Sequence, residues 1–294
     1  MTVELQTERT RDYLQHWGLQ ERPFESNRDI RFFYPGREHV EALERLLYLV
    51  KDGNMCFGLL TGEIGAGKTM VLNKLMERLG AIQTALPVHL PNGNLEFCDL
   101  LREMIYRMEN RRGLRFRRGP RDCEGKYDLI ARFQDLLEAK AIRLGRQLVL
   151  LIDEAQQLSE EALTELKNLT NIGAADRNFI TIVLAGQPEL SEVIRSLPAI
   201  DQRVGLRYHL ACFDDSGTGA YLDYRMEAAG LVGGGVFDTE AKAEVHRQTA
   251  GIPREINRLC KLALDRTFAL GERTVSAKTI RSIAADIHHQ DAMS

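Results

Sequence analysis

Four short, mostly apolar runs stand out along the chain, each bounded by turn-forming or charged residues. They are Phe57–Leu60, Leu86–Leu90, Leu148–Ile152 and Ile180–Ala185. Runs this short and this apolar are typical of strands buried on both faces of a parallel sheet. Because longer segments with helical spacing separate them, we predict an α/β fold in which helices flank a parallel sheet.

The segments between these runs carry the spacing of amphipathic helices. From Lys126 to Leu144, apolar residues recur every three or four positions with charges between them. Ser159 is placed to cap a second helix whose first turn carries Glu160 and Glu161. The apolar positions of the first helix are Tyr127, Ile130, Phe133, Leu137 and Ala141.

From about Ala211 onward, the apolar spacing is helical only. The predicted helices there are Gly217–Ala229, Thr239–Thr249, Arg254–Leu270 and Ala277–His288. We therefore predict three parts. They are an N-terminal arm at residues 1–40 that packs on the α/β part, an α/β domain at residues 41–210 and a small all-helical lid domain at residues 211–294.

Composition and charge narrow the class of protein. The 294 residues carry a formal net charge of −3, with 28% charged and 44% hydrophobic residues. Any surface for nucleic acid must therefore be a local patch. The five cysteines never form a C-x-x-C pair, and the N-terminus lacks an apolar signal-peptide segment. These features predict a cytoplasmic protein without a zinc site or a disulfide framework.

A phosphate-binding loop follows the first apolar run. Residues 62–69 read GEIGAGKT, which satisfies the pattern G-x-x-x-x-G-K-[ST] between a strand and a helix. In such a loop, backbone N–H groups surround phosphates, Lys68 reaches the β- and γ-phosphates, and the Thr69 hydroxyl ligates Mg²⁺. The motif alone would also allow a kinase or a GTPase. The predicted nucleotide-binding residues are Gly62, Glu63, Ile64, Gly65, Ala66, Gly67, Lys68, Thr69 and Met70.

A second motif ends the third apolar run, where Asp153 and Glu154 follow Leu148–Ile152. We expect this strand to lie beside the strand of the phosphate-binding loop, so that Asp153 holds Mg²⁺. Glu154 would then polarise the attacking water, which predicts hydrolysis of ATP as well as binding. An Asp-Glu pair can also be a solvated loop or a helix N-cap, but a phosphate-binding loop in the same chain favours the catalytic interpretation.

These two motifs, together with others, carry a resemblance to a known family. The others are GQPEL at 186–190, GIPREINRLC at 251–260, WGLQERPF at 17–24 and FFYPGREHVEAL at 32–43. The chain resembles the AAA+ ATPases of the ExeA family from about Tyr13 to about Ile287. The resemblance implies a P-loop ATPase domain, a helical lid, ATP and Mg²⁺ as ligands, and assembly into a homo-oligomeric ring or filament.

The resemblance also implies roles for three further residues. Gln187 matches a polar sensor of the γ-phosphate or of the lytic water, and Arg254 matches a lid arginine that reaches the nucleotide. Arg203 matches the arginine finger that relatives present to a neighbouring subunit, and Arg207 competes for that role. Each of these residues could instead be an ordinary surface residue. Lys68, Glu154, Gln187 and Arg203 form the predicted catalytic set.

Aromatic residues of the N-terminal arm have two interpretations. We expect them to anchor the arm by core packing, and in AAA+ proteins this region also borders the adenine, where one ring would stack on the base. These residues are Trp17, Phe24, Phe32, Phe33 and Tyr34.

An arginine-rich segment introduces a possible nucleic-acid contact. Seven arginines lie between Arg107 and Arg121, interleaved with glycines and Phe116. Such residues can bind phosphates, as they do in the transposition ATPases of the TnsC, TniB and MuB type. A solvated loop joining two helices is the alternative. The candidate contacts are Arg111, Arg112, Arg115, Arg117 and Arg118.

Two hypotheses for the partner follow. In the first, the ATPase assembles on duplex DNA and recruits a transposase-like protein. In the second, it acts on a protein partner in secretion or envelope assembly without touching DNA. The arginines favour the first hypothesis, as does the lack of a match to the transmembrane and periplasmic parts of ExeA.

Overall fold

The structure, a computed structural model, describes residues 2–25, 29–109, 125–172 and 178–291. It contains five strands, which are β1 (Phe57–Gly62), β2 (Ala85–Leu90), β3 (Gln147–Ile152), β4 (Ile180–Gly186) and β5 (Val204–Leu210). The first helices are α1 (Thr2–Trp17), α2 (Arg37–Asp52), α3 (Lys68–Gly80), α4 (Phe97–Glu109), α5 (Lys126–Lys140) and α6 (Glu160–Leu169). The later ones are α7 (Glu189–Arg195), α8 (Pro198–Asp201), α9 (Asp215–Ala228), α10 (Thr239–Thr249), α11 (Pro253–Ala269) and α12 (Ala277–Asp291).

These elements form two compact units. The first, called the α/β unit, comprises residues 40–64 and 68–210. The second, called the helical unit, comprises residues 1–39, 65–67 and 211–294. Among the described helices, none is long and apolar enough to cross a membrane.

The sheet of the α/β unit is parallel throughout, in the order β2-β3-β4-β1-β5. Every residue of β1, β3 and β4 is buried, as continuous apolar runs predict. The expectation that β3 lies beside β1 is wrong, because β4 pairs with both strands and separates them. Since all the strands run the same way, their carboxyl ends still meet at one edge of the sheet.

The edge strand β5 was not predicted by the apolar runs. It pairs in parallel with β1, and its residues alternate between half-buried and exposed positions until Leu210. An edge strand next to solvent needs no continuous apolar run, and Arg207 and His209 occupy exposed positions. The alternation of Val204, Leu206 and Tyr208 is the signal that could have identified it.

The helices of the α/β unit follow the predicted spacing with one exception. In α5, Leu129, Phe133 and Leu137 are buried in the main apolar cluster, whereas Tyr127 is 87% exposed. Tyr127 was therefore wrongly assigned to the buried face, because it precedes Leu129 by two residues and so lies about 200° around the helix from it. The predicted cap of α6 is confirmed, since the Ser159 hydroxyl accepts the N–H of Ala162 at 3.1 Å.

The helical unit has a core of its own, which the N-terminal arm completes. Trp17, Phe24 and Phe32 share one cluster with apolar residues of α9, α11 and α12. The expectation that the arm packs on the α/β part is therefore wrong for these rings. The predicted helices of this unit all form, and Thr239–Thr249 has the predicted bounds.

A buried arginine fixes the arm to α9. Arg225 is 2% exposed, and its guanidinium lies 4.3 Å from the centroid of the Phe32 ring. It donates to the carbonyl oxygens of Pro23 at 2.5 Å and Glu25 at 3.0 Å. Cation–π attraction and charge-assisted hydrogen bonds thus offset the desolvation of this charge.

Candidate nucleotide-binding site

The loop between β1 and α3 closes around a lysine of its own. Lys68 is 6% exposed, and its ammonium donates to the carbonyl oxygens of Gly62 at 2.7 Å and Glu63 at 2.9 Å. The loop therefore holds a buried positive charge at the carboxyl end of β1, beside the N-terminus of α3. Both features attract anions, and phosphate is the anion that this loop pattern binds.

The next residue links the loop to β3. The Thr69 hydroxyl donates to Asp153 Oδ2 at 2.5 Å, and Asp153 is only 3% exposed. The second carboxylate oxygen of Asp153 accepts the N–H of Glu154 at 3.0 Å. A hydroxyl and a carboxylate in contact provide the oxygen ligands that Mg²⁺ prefers.

These ligands also suit the way in which Mg²⁺ is usually held. Among the described residues there is no cluster of three or more His, Cys, Asp or Glu side chains that would form an all-protein metal cage. Mg²⁺ commonly takes one or two protein oxygens and completes its shell with phosphates and water. Thr69 and Asp153 therefore fit Mg²⁺ bound together with a nucleotide.

Glu154 has an unusual backbone conformation. Its φ of 51° lies in the left-handed region, which side chains other than glycine seldom occupy. The carboxylate is half-buried, and Oε2 accepts a hydrogen bond from the Gln156 amide at 2.8 Å. Residues in such conformations cluster at functional sites, where surrounding contacts hold them.

Gln187, the predicted sensor, contacts the side-chain amide of Gln156 as well. Gln187 follows β4, and its backbone N–H donates to Gln156 Oε1 at 3.2 Å. The structure thus joins Glu154 and Gln187 through a residue that the motifs did not single out. The signal that could have found Gln156 is its position two residues after Glu154 in the same motif.

The tip of the loop, residues 65–67, groups with the helical unit. The N–H of Arg254, at the start of α11, donates to the Gly65 carbonyl oxygen at 3.3 Å. Gly65 has a φ of +85°, and a Cβ there would lie 2.6 Å from the Cβ of Arg254. Glycine is therefore required at this position, both for its conformation and for its close approach to α11. The predicted lid arginine therefore lies next to residues 65–67 of its own unit.

A histidine packs on the same tip. His39 is 4% exposed, and its Nε2 lies 3.1 Å from the carbonyl oxygen of Ala66. Because a carbonyl only accepts, Nε2 carries the proton and donates it. Burial lowers the pKa of His39 to about 4, so the ring is neutral at pH 7. Its Nδ1 has no hydrogen-bond partner in the described part of the chain.

The remaining predicted nucleotide-binding residues differ in exposure to solvent. Ala66 is buried and Met70 is half-buried, whereas Glu63 and Ile64 are exposed, Ile64 to 55%.

Each of the two candidate finger arginines is held by a partner within the α/β unit. Arg203 donates to the hydroxyl of Thr170 at 2.9 Å and to the side-chain oxygen of Asn171 at 2.8 Å. Arg207 forms an ion pair with Asp201 at 2.5 Å. Both partners of Arg203 are neutral, so releasing it does not leave a carboxylate unpaired.

The five candidate DNA-contact arginines lie outside the described residues, as does Arg121. They are Arg111, Arg112, Arg115, Arg117 and Arg118. Arg107, at the beginning of the arginine-rich segment, lies in the last turn of α4 and pairs with Glu103 at 2.6 Å.

Known proteins share sequence similarity with this chain. Residues 52–194 match the family model of an AAA domain. The chain is 35% identical over 269 residues to General secretion pathway protein A of Aeromonas hydrophila. That alignment covers 90% of this chain and 46% of the relative, so the chain spans about half the relative's length. The resemblance to the ExeA family that the motifs indicate is confirmed.

The fold is similar to that of two solved proteins of Aeropyrum pernix. The ORC2 protein, solved in ADPNP–ADP complexes, gives a TM-score of 0.63 at 18% identity, covering 90% of this chain and 71% of that chain. The ORC1 protein, solved in complex with DNA, gives a TM-score of 0.61 at 19% identity, covering 86% and 65%. The likeness confirms the predicted α/β P-loop fold followed by a helical region.

The buried neutral histidine predicts a pH dependence of stability. A base whose pKa is lower in the folded chain binds fewer protons when folded, so its contribution is complete above pH 6.5 and is lost as the pH falls toward 4. With a folded pKa of about 4 for His39, we expect roughly 2 kcal/mol to be lost between pH 7.5 and pH 5.0.

Urea titrations at the two pH values measure this loss. His39→Gln keeps an N–H donor toward Ala66 but does not titrate, so its loss between the two pH values should be smaller by about that amount. Equal losses in the wild type and in His39→Gln would contradict a buried neutral imidazole.

Proposed function

We propose that this protein, whose residues 52–194 match the family model of an AAA domain, binds and hydrolyses ATP with Mg²⁺. The hydrogen bond between Thr69 and Asp153 carries the proposal, because it joins the phosphate-binding loop to the acidic strand end. Hydroxyl, carboxylate and buried ammonium groups then occupy one edge of the sheet, as binding of a nucleotide phosphate with its metal requires.

This proposal gives each candidate site residue of the α/β unit a defined role. Lys68 would hold the β- and γ-phosphates, and Thr69 with Asp153 would hold Mg²⁺. Bound ATP with Mg²⁺ supplies the phosphoryl group that water attacks. Glu154 would orient that water and accept its proton, and Gln187 would hydrogen-bond the water or the γ-phosphate.

Assembly into a homo-oligomeric ring or filament is the second part of the proposal. Arg254 lies against the loop tip in the helical unit, which supports its role as the lid arginine. Arg203 is our preferred finger, because it matches the finger position of the resembled family and its release from Thr170 and Asn171 leaves no carboxylate unpaired. In such an assembly, ATP controls subunit contacts.

A cytoplasmic location stays a prediction.

Removing the base tests the activity. In Glu154→Gln, the amide cannot accept a proton from water, so we expect kcat for ATP hydrolysis to fall by about 100-fold or more. The dissociation constant for ATP should stay within about twofold, because Lys68, Thr69 and Asp153 are intact. A coupled ADP-release assay measures turnover, and fluorescence of a labelled ATP analogue measures binding.

Glu160→Gln is the matched control, since Glu160 is an exposed glutamate in the first turn of α6. It should leave both constants unchanged. Turnover by Glu154→Gln equal to that of the wild type would remove Glu154 from its proposed role.

Two classes of partner have separate support. Duplex DNA, with a transposase-like protein recruited to it, is favoured by the arginines between Arg107 and Arg121 in an otherwise acidic chain. A protein partner without DNA contact is favoured by the relative at 35% identity, whose name places it in a general secretion pathway. We take DNA as the first candidate because charge of this density is suited to phosphates.

Fluorescence anisotropy with labelled duplex DNA separates the two candidates. With a non-hydrolysable ATP analogue, we expect binding that weakens steeply with salt. Replacing Arg115, Arg117 and Arg118 with alanine should weaken this binding and reduce the magnitude of the negative slope of log K against log salt by about 3.

Alanine at Arg143, Arg195 and Lys278, three exposed cations elsewhere, is the control and should keep the slope. Absence of ATP-dependent binding even at low salt would reject DNA and leave the protein partner.

A further inference from the structure

Gln156 lies in a 3-10 turn, Ala155–Gln157, that follows β3 and Glu154. Its side chain is half-buried within the α/β unit. Its amide nitrogen donates to Glu154 Oε2 at 2.8 Å, and its amide oxygen accepts the backbone N–H of Gln187 at 3.2 Å. One side chain therefore contacts both the proposed base and the end of the proposed sensor strand.

The two partners determine how the amide is oriented. An ionised carboxylate only accepts hydrogen bonds, so the NH₂ group must face Glu154. A backbone N–H only donates, so the carbonyl oxygen must face Gln187. Rotating the amide by 180° would place oxygen against oxygen and nitrogen against N–H, so a single orientation satisfies both contacts.

The end of β4 is shaped to admit this amide. A Cβ at Gly186 would lie 2.6 Å from Gln156 Oε1 and 3.2 Å from the Gln156 backbone nitrogen. Any larger residue at 186 would therefore push the amide away from the N–H of Gln187. Gly186 is the glycine of the GQPEL motif, so there is a steric reason for glycine at this position.

We propose that Gln156 is a positioning residue that fixes the carboxylate of Glu154 and ties it to the sensor at the end of β4. This inference rests on the proposed hydrolysis of ATP. With Oε2 held by the amide, Oε1 points in a defined direction and can accept the proton of an attacking water. Gln156 acts through Glu154 and need not touch the nucleotide, so its loss should affect turnover and not affinity.

Its neighbour provides a matched control. Gln157 is the same residue type in the same turn, but it is exposed. We expect Gln156→Leu to lower kcat about tenfold or more, with the dissociation constant for ATP within about twofold, because the carboxylate loses its fixed direction. Gln157→Leu should change neither constant. A kcat for Gln156→Leu equal to or above that of the wild type would overturn the proposal.

Two further readouts separate positioning from a general loss of structure. In the Glu154→Gln background, adding Gln156→Leu should cost nothing more, because the base it positions is already removed. A full additional tenfold loss would show that Gln156 acts elsewhere. Gln156→Glu keeps an acceptor for the Gln187 N–H but places a second carboxylate beside Glu154. We therefore expect kcat to fall while the Gln187 N–H stays protected from hydrogen exchange.

Amide hydrogen exchange at Gln187 does not depend on ATP hydrolysis. Gln156→Leu should speed this exchange, whereas Gln156→Glu and Gln157→Leu should leave it as in the wild type. Unchanged exchange in Gln156→Leu would overturn the tie to β4. If the wild type does not hydrolyse ATP, the proposed function fails, and the exchange result still decides whether Gln156 holds the end of β4.

Discussion

The hydrogen bond from the Thr69 hydroxyl to Asp153 is the contact that most constrains the arrangement of the strands in the α/β unit. Thr69 starts from the end of β1 and Asp153 from the end of β3, with β4 between them. Two strand spacings amount to roughly 10 Å, so the loop and the first turn of α3 must reach across the end of β4. The contact therefore requires that the three strands be parallel, with their carboxyl ends at one edge of the sheet. Residues 63–67 provide the reach, and the positive φ of Gly65 and Gly67 makes the turn possible.

The remaining contacts at this edge follow from the same arrangement. Because β4 ends between β1 and β3, Gln187 emerges beside the turn that carries Glu154, and the Gln156 amide can contact both. The candidate site is thus built from strand ends, and a change in the register of β4 would disturb the proposed metal ligands and the proposed base together. In the helical unit, Arg254 and His39 contact the loop tip, residues 65–67.

Much of this arrangement could be predicted from sequence, because its signals are local. Continuous apolar runs identified four strands, and the spacing in GEIGAGKT identified Lys68 and Thr69. The expectation that Asp153 acts together with Thr69 rested on β3 lying beside β1. β4 separates these strands, but the two residues still meet because parallel strands end at one edge. Ser159 capped its helix as predicted because a cap depends on residues within one turn.

What escaped prediction depends on contacts distant in sequence. The order of β3, β4 and β1 is set by tertiary pairing, so the local pattern gave β3 the wrong neighbour. The edge strand β5 lacks an apolar run because one of its edges faces outward. The aromatic rings of the arm pack in the helical unit, against Arg225 and other residues of α9. Their apolar character predicts that they are buried but not which unit buries them. Gln156 lies two residues after Glu154, but its second contact, Gln187, is 31 residues away, so the local motif alone did not indicate its position between them.

The dependence of ATP affinity on Mg²⁺ tests the central claim most directly, measured by calorimetric titration with and without the ion. Thr69→Val keeps the shape of the side chain but removes the hydroxyl that meets Asp153, whereas Thr69→Ser keeps that hydroxyl. If this pair holds the metal, Mg²⁺ should raise the affinity of the wild type and of Thr69→Ser by about tenfold or more, and should raise that of Thr69→Val far less. An equal gain in Thr69→Val would contradict a metal site at this edge of the sheet.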